Sequence, residues 1–308
     1  MINNSICTLR SELCALYVGL MMNDQQNLVE RLNLSGKRLS KSHRRIADYI
    51  VEHYDKAVFM TAAVLAEAVG VSESTVVRFA MALGYDGYPS LQHALQELAR
   101  HRLTAAQRFD MSADLKEEDV LSTVLRADMR NIRNTVEQID PGAFAEVVRR
   151  LLSAETIYVL GLRSAAPLAQ FFSYYLRFIF DDVREVAAGT NDVFQTIARI
   201  RKTDVLVGIS FPRYSTRTLE AMRFAHKSGA QVIGLTDGPM SPLHKEADIC
   251  LSARTDMASF VDSLTAPLSV INALLAAAAL KKREELNTHL VKLEGIWEAY
   301  SVYNKENQ

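Results

Sequence analysis

Met60-Thr61-Ala62-Ala63-Val64-Leu65-Ala66-Glu67-Ala68-Val69-Gly70-Val71-Ser72-Glu73-Ser74-Thr75-Val76-Val77-Arg78-Phe79-Ala80-Met81-Ala82-Leu83-Gly84 reads as two short helices joined by a tight corner. Thr61 is placed to N-cap the first helix, and Leu65, Ala68 and Val69 give it an apolar stripe at helical spacing. Ala66 is small where a crossing helix comes close. Gly70 can take the positive φ that the corner demands. Ser72 then caps a second helix with Val76, Phe79, Ala80 and Leu83 facing inward, and Gly84 ends it. That spacing is the spacing of a helix-turn-helix. The outer face of the second helix keeps Ser74, Thr75, Val77, Arg78 and Met81, and with Ser72 at its cap the polar ones are candidates to meet base edges and phosphates in a major groove.

The flanks extend the pattern. Residues 31 to 45 hold Arg31, Lys37, Arg38, Lys41, Arg44 and Arg45 without one acidic residue, directly ahead of the hairpin. Lys41, Arg44 and Arg45 fall on a preceding helix, Leu39 to Ile50, where they can meet phosphates. This helix, the segment Val71 to Phe79, and Leu83-Gly84-Tyr85-Asp86-Gly87-Tyr88-Pro89-Ser90-Leu91 together resemble the N-terminal domain of the RpiR family of bacterial transcriptional regulators. The resemblance spans about residues 37 to 95 and implies a double-stranded DNA operator as partner.

With 308 residues the chain has room for two domains, each with its own core. An apolar fraction of 49%, a charged fraction of 23% and a net charge of −1 are those of an ordinary globular protein. Cys7, Cys14 and Cys250 show no CxxC or metal-ligand spacing, so no metal or cofactor is expected, and an unpaired count fits a reducing cytoplasm. The longest apolar run, around Leu268 to Leu280, is short and alanine-rich, and no membrane span is expected. Leu13 to Met22 has a faint likeness to a signal-peptide core, and Met21 or Met22 reads as an alternative start.

Beyond Thr104 to Glu118, which loses periodicity and gains charge, a long amphipathic helix is expected over Val120 to Gln138, with Val124, Leu125, Met129, Ile132 and Val136 on one side. Pro141 opens the next helix. From Thr156 strands alternate with helices: strands at 157–161, 183–186, 205–209, 231–235 and 249–251, helices at 165–178, 192–200 and 216–227. Two further helices, from Ala258 to about Ala279 and from Glu284 to Tyr300, follow. Such alternation means parallel pairing with helices on both faces. The fold class expected is α/β: an N-terminal all-α helix-turn-helix domain, then a flavodoxin-like αβα sandwich with a mostly parallel five-stranded sheet. The expected boundaries are a leader at 1–30, the helix-turn-helix domain at 31–107, a linker at 108–119, the α/β ligand-binding domain at 120–285, and a C-terminal helix and tail at 286–308.

Ligands of open α/β sheets sit beyond the carboxyl ends of the strands, where helix N-termini present free N–H groups. The first strand runs into Gly161-Leu162-Arg163-Ser164, the third into Ser210-Phe211-Pro212-Arg213-Tyr214-Ser215-Thr216, and the fourth into Thr236-Asp237-Gly238. Arg163, Ser164, Ser210, Arg213, Tyr214, Ser215, Thr216 and Thr236 form a candidate anion cradle. Here residues 120 to 285 resemble a SIS (sugar isomerase) domain, the phosphosugar-binding module that RpiR-type regulators carry. The resemblance assigns sugar-phosphate contacts to the serines after strands one and three, matched by Ser164, Ser210 and Ser215. One departure stands out: where that family commonly has Ser-Gly, this chain has Pro212-Arg213.

The expected function is therefore a cytoplasmic, non-enzymatic transcriptional regulator, a homodimer or tetramer, that binds DNA and a small anionic effector such as a phosphosugar or sugar-derived acid. The competing class is a phosphosugar aldose–ketose isomerase, for which His244 and Glu246 are the candidate bases.

Overall fold

The computed structural model describes residues 39–58, 60–99, 104–110, 116–187 and 192–303. The leader, Arg31, Lys37, Arg38, Cys7 and Cys14 lie outside these residues. The chain divides into two compact units, 1–103 and 104–308.

In the first unit, α1 (Lys41–Glu52) is capped by Ser40, whose hydroxyl accepts from the His43 N–H at 3.2 Å. The single turn α2 (Tyr54–Ala57) follows, then α3 (Ala62–Val69), α4 (Glu73–Ala82) and α5 (Tyr88–Ala99). Thr61 caps α3 by accepting from Val64 N–H. The buried face of α3 is Leu65, Ala66 and Val69; Ala68, expected in that stripe, is exposed, because α4 crosses at Ala66. Gly70 adopts φ +69°, and the next amide, Val71 N–H, returns to the Ala66 carbonyl at 2.9 Å. The inward face of α4 is Val76, Phe79 and Ala80, closed by Leu83, as its spacing dictates. Gly84, at φ +83°, ends it, with Tyr85 N–H bonded to the Ala80 carbonyl. From α5, the Tyr88 hydroxyl and the Gln92 amide both donate to the Met60 carbonyl, at 2.6 and 3.0 Å. This fastens the entrance of the hairpin. Burial pushes the Tyr88 phenol up to about 12, so it stays a donor.

The second unit begins with the short α6 (Ala105–Asp110), in a stretch that the sequence reading divided between domain and linker. Its Arg108 is buried in a two-pronged ion pair with Asp262, both Nη1–Oδ distances being 3.0 Å. Then come α7 (Val120–Gln138) and α8 (Pro141–Ser153), the latter capped by Asp140 with Pro141 in its first turn. The rest alternates as β1 (Ile157–Gly161), α9 (Ala166–Ile179), β2 (Val183–Val186), α10 (Val193–Ile197), β3 (Val205–Ile209), α11 (Thr216–Lys227), β4 (Gln231–Thr236) and β5 (Ile249–Ser252). Two helices, α12 (Thr265–Lys281) and α13 (Arg283–Ala299), close the chain.

All strand pairs are parallel and the order is β2-β1-β3-β4-β5. This is the flavodoxin-like winding, with its switch point between β1 and β3. Alternate strand residues serve two cores. Ile157, Val159, Val207 and Ile233 pack with α8, α9 and α12, while Tyr158, Leu160, Leu206 and Val232 pack with α10 and α11. At the edge, a Cβ on Gly234 would lie 2.6 Å from the Cys250 sulfur, so β4 and β5 meet tightly there, and burial pushes the Cys250 thiol up to about 12.

In α7 the apolar side expected from the sequence faces away from the domain core. Its buried residues are Ala127, Asn131 and Thr135, held by polar clamps to the segment after β5. Asn131 donates to the Asp256 carbonyl at 2.8 Å and accepts the Asp256 N–H at 3.1 Å, and Thr135 accepts from Arg254 N–H at 2.9 Å. Leu125, Met129, Ile132 and Val136 are exposed.

Candidate functional site

On α4 the hydroxyls that were expected to meet DNA form one chain along the exposed face. Ser72 sits at the N-cap position but makes no side-chain cap bond, which corrects its expected capping role. Its hydroxyl lies instead 3.0 Å from Ser74 Oγ and 2.8 Å from Thr75 Oγ1. Arg78 Nη2 donates to Thr75 Oγ1 at 3.3 Å, so the guanidinium is oriented before any partner arrives. Val77 is half-buried beside it. Lys41 and Arg44 are exposed in the first turn of α1. Arg45 is engaged internally: Nη2 donates to the Val69 carbonyl at the corner, and a Cβ on Gly70 would lie 3.1 Å from that nitrogen. It braces the turn, a role that the basic run did not reveal. His43 packs edge-on to Phe79 with ring centroids 5.7 Å apart. Burial, and then the charge of Arg78, lower its pKa, so at neutral pH the imidazole is uncharged beside the guanidinium.

At the carboxyl edge of the sheet the eight expected ligand residues separate into two groups. Ser210, Tyr214, Ser215 and Thr236 build the loops. Ser210 is buried and its hydroxyl accepts the Ser215 N–H at 3.2 Å. Ser215 caps α11 by accepting from Thr218 N–H at 3.3 Å. Thr236 is fully buried between Ser241 Oγ at 2.7 Å and Asp237 Oδ1 at 3.1 Å. The Tyr214 hydroxyl donates to the same Asp237 oxygen at 2.8 Å, tying the loop after β3 to the loop after β4. Ser241 was not singled out in the sequence, although Ser241-Pro242 is a capping signature for the short 3₁₀ turn that follows.

Arg163, Ser164, Arg213 and Thr216 form the other group. All four are exposed, and among the described residues their side chains have no hydrogen-bond or ion-pair partner. Arg217, one residue beyond Thr216, by contrast pairs with Asp192. Arg163 and Arg213 also share a backbone anomaly: φ is +57° and +67°, the left-handed region, and Ser301 is the only other non-glycine there among the described residues. Each such residue costs on the order of 1–2 kcal/mol. Both stand at the ends of neighbouring strands β1 and β3, one on each side of the switch point.

The first loop depends on Gly161. A Cβ there would lie 2.6 Å from the Ala165 carbonyl oxygen and 2.8 Å from the Ala169 Cβ, and the backbone of the turn cannot yield cheaply. Gly161→Ala is expected to destabilise the second unit by about 1–3 kcal/mol through overpacking. The Arg163–Ser164 turn should shift with it, which calorimetric melting with ligand titration checks. Of the two isomerase candidates, Glu246 is tied up in an ion pair and, among the described residues, His244 is not. Glu246 is held by Arg223, whose hydrogen bonds keep its carboxyl below the usual range, and burial lowers the pKa of His244. The described residues contain no group of three or more His, Cys, Asp or Glu that could hold a metal ion, and no helix among them is long and apolar enough to cross a membrane.

Comparison with known proteins finds matches over both parts of the chain. The model of the rpiR-family helix-turn-helix domain matches residues 26–101, and that of the SIS domain matches residues 150–277. The HTH-type transcriptional regulator HexR of Pseudomonas aeruginosa is 27% identical over 281 residues, covering 87% of this chain and 95% of the relative. The sugar isomerase domain of an RpiR transcription factor from Sphaerobacter thermophilus superposes with a TM-score of 0.55 at 27% identity, over 57% of this chain and 98% of that one. The Vibrio vulnificus NanR protein, solved in complex with ManNAc-6P, gives 0.54 at 22% identity, over 89% of this chain and 99% of that one.

Proposed function

From the premise that the chain belongs to the rpiR family of helix-turn-helix regulators with a SIS domain, we propose how its two sites divide the work. The protein is a DNA-binding transcriptional regulator and not an enzyme, as its relatives along most of its length are. Its effector is a small anionic metabolite, a phosphosugar or a sugar-derived acid, held at the carboxyl edge of the sheet by Arg163, Ser164, Arg213 and Thr216. The observation that carries this reading is the pair of unpartnered arginines in left-handed backbone on both sides of the switch point. Strain kept at two such positions calls for a functional return. That NanR is described with a phosphorylated amino sugar supports the ligand class. The protein works in the cytoplasm as a homo-oligomer, since two half-sites about 34 Å apart need two reading helices. Effector binding shifts operator affinity only through a difference in its affinity for the two states. A thermal-shift and calorimetric panel of phosphosugars, sugar acids and their neutral parent sugars tests the ligand class. Stabilisation by the anions alone is expected; equal response to neutral sugars would overturn it.

On the DNA side, Arg78→Ala is expected to cost roughly 1–3 kcal/mol of specific operator affinity, the worth of one bidentate base contact, with no change in melting. Lys41→Ala should instead weaken all sequences alike and reduce the salt dependence by about one counterion. Gel-shift titrations at several salt concentrations read both. Unchanged operator affinity in Arg78→Ala would remove α4 as the reading helix.

A further inference from the structure

We propose that Asp237 selects the effector, admitting a sugar with one anionic group and turning away one that is anionic at both ends. The inference rests on the effector site proposed above and narrows what that site accepts. Asp237 directly follows β4 and is half-buried at the carboxyl edge that carries Arg163 and Arg213. Its Oδ1 accepts from the Tyr214 hydroxyl at 2.8 Å and from the Thr236 hydroxyl at 3.1 Å. Its Oδ2 has no hydrogen-bond or ion-pair partner among the described residues. The Thr236 bond is held from behind. A hydroxyl has one proton, and that of Thr236 goes to Asp237, so the 2.7 Å bond between Thr236 and Ser241 is donated by Ser241. Ser241 Oγ in turn accepts from Leu243 N–H at 3.3 Å. Every donor of this relay runs toward the carboxylate, which fixes its position before a ligand arrives.

The carboxylate is also left without a paired cation among the described residues. Arg213 immediately precedes Tyr214, whose hydroxyl reaches Asp237, yet no ion pair joins the guanidinium to the carboxylate. Elsewhere in the second unit Arg217, Arg223 and Arg254 each pair with a carboxylate. One edge of the sheet thus keeps two unpaired guanidiniums and, one strand further, a carboxylate, which is an acceptor only. A ligand that satisfies both carries an anion for the arginines and donors, hydroxyl or amino, for Oδ2. A sugar bearing a single phosphate or carboxylate is of this kind. A second anionic group would face a carboxylate that its relay holds in place, and such like-charge contact is strongly unfavourable. A neutral sugar gains nothing from the arginines.

Titration calorimetry of the full chain tests this with three sets of probes. They are sugar monophosphates and aldonic acids, their counterparts charged at both ends (bisphosphates and aldaric acids), and inorganic phosphate. The wild type is expected to bind its best sugar with one anionic group roughly tenfold or more tighter than the counterpart charged at both ends. Asp237→Asn keeps an oxygen for Tyr214 and Thr236 and replaces the other by an amide N–H donor. It should bind that sugar roughly tenfold or more weakly, narrow the gap to the doubly anionic counterpart, and hold inorganic phosphate no less tightly. An Asp237→Asn chain that keeps both sugar affinities overturns the proposal and makes this residue a loop closure only. Should the variant fail to fold, the wild type alone decides: equal affinity for ligands anionic at one end and at both overturns the selection. So does inorganic phosphate bound as tightly as any sugar, which leaves the arginine cradle standing. A wild type that binds none of these anions would sink the cradle itself.

Discussion

Replacing both Arg163 and Arg213 by glycine is expected to abolish effector response while leaving the second unit more stable than wild type. Each guanidinium supplies a charge-assisted hydrogen bond worth roughly 1.5–3 kcal/mol to an anion. Losing both should weaken binding by about a hundredfold to ten-thousandfold. Stability moves in the opposite direction. Both residues hold a positive φ that a side chain resists and glycine accepts, so each exchange should return up to about 1 kcal/mol. Alanine at the same positions removes the charge and keeps the strain. It should therefore lose the effector without the gain in melting temperature. Titration calorimetry and melting curves on the alanine and glycine pairs separate the two contributions. Glycine variants that bind the effector normally, or that melt lower than wild type, would overturn the role given to these loops.

Phe79→Ala should have an effect of comparable size on the other unit, and of a different kind. The ring is fully buried beneath α4 and meets His43 edge-on. Its removal leaves a cavity costing about 3–5 kcal/mol. Small domains have little stability beyond that. The first unit should therefore be largely unfolded at physiological temperature, and binding to all DNA sequences should fall together. Arg78→Ala, one residue away, should lose only the specific complex. Melting followed alongside DNA titration distinguishes the neighbours: a normally folded Phe79→Ala would mean that the α4 core is wrongly assigned.

The elements were legible where local chemistry decides them. Asp140-Pro141, the short continuous apolar runs of the strands, and Gly70 and Gly84 each fix a boundary without help from distant residues, and α7, α11 and β3 begin and end where the sequence places them. The orientation of α7 was not legible. Periodicity shows that one face is apolar, yet the direction of that face is set by clamps from Asn131 and Thr135 to residues more than 100 positions away. The cradle was legible in outline only. A hydroxyl after a strand looks the same in sequence whether it lines a site or closes a loop. The burial of Ser210 and Thr236 comes from the return of α11 and of the Asp237 loop. Arg45 shows the same limit: a basic run identifies a charged helix but not the one guanidinium that folds back onto a carbonyl.

The tight meeting of β4 and β5 has a chemical consequence. With its thiol pushed up to about 12 by burial, Cys250 stays in the thiol form at neutral pH. Oxidants and alkylating agents act on the thiolate, so in the closed sheet this sulfur is nearly inert. Its modification must proceed through moments when β5 detaches and the ordinary acidity returns. The rate at which this thiol reacts is therefore expected to report how often the edge strand opens, which thiol-labelling kinetics followed against denaturant would read.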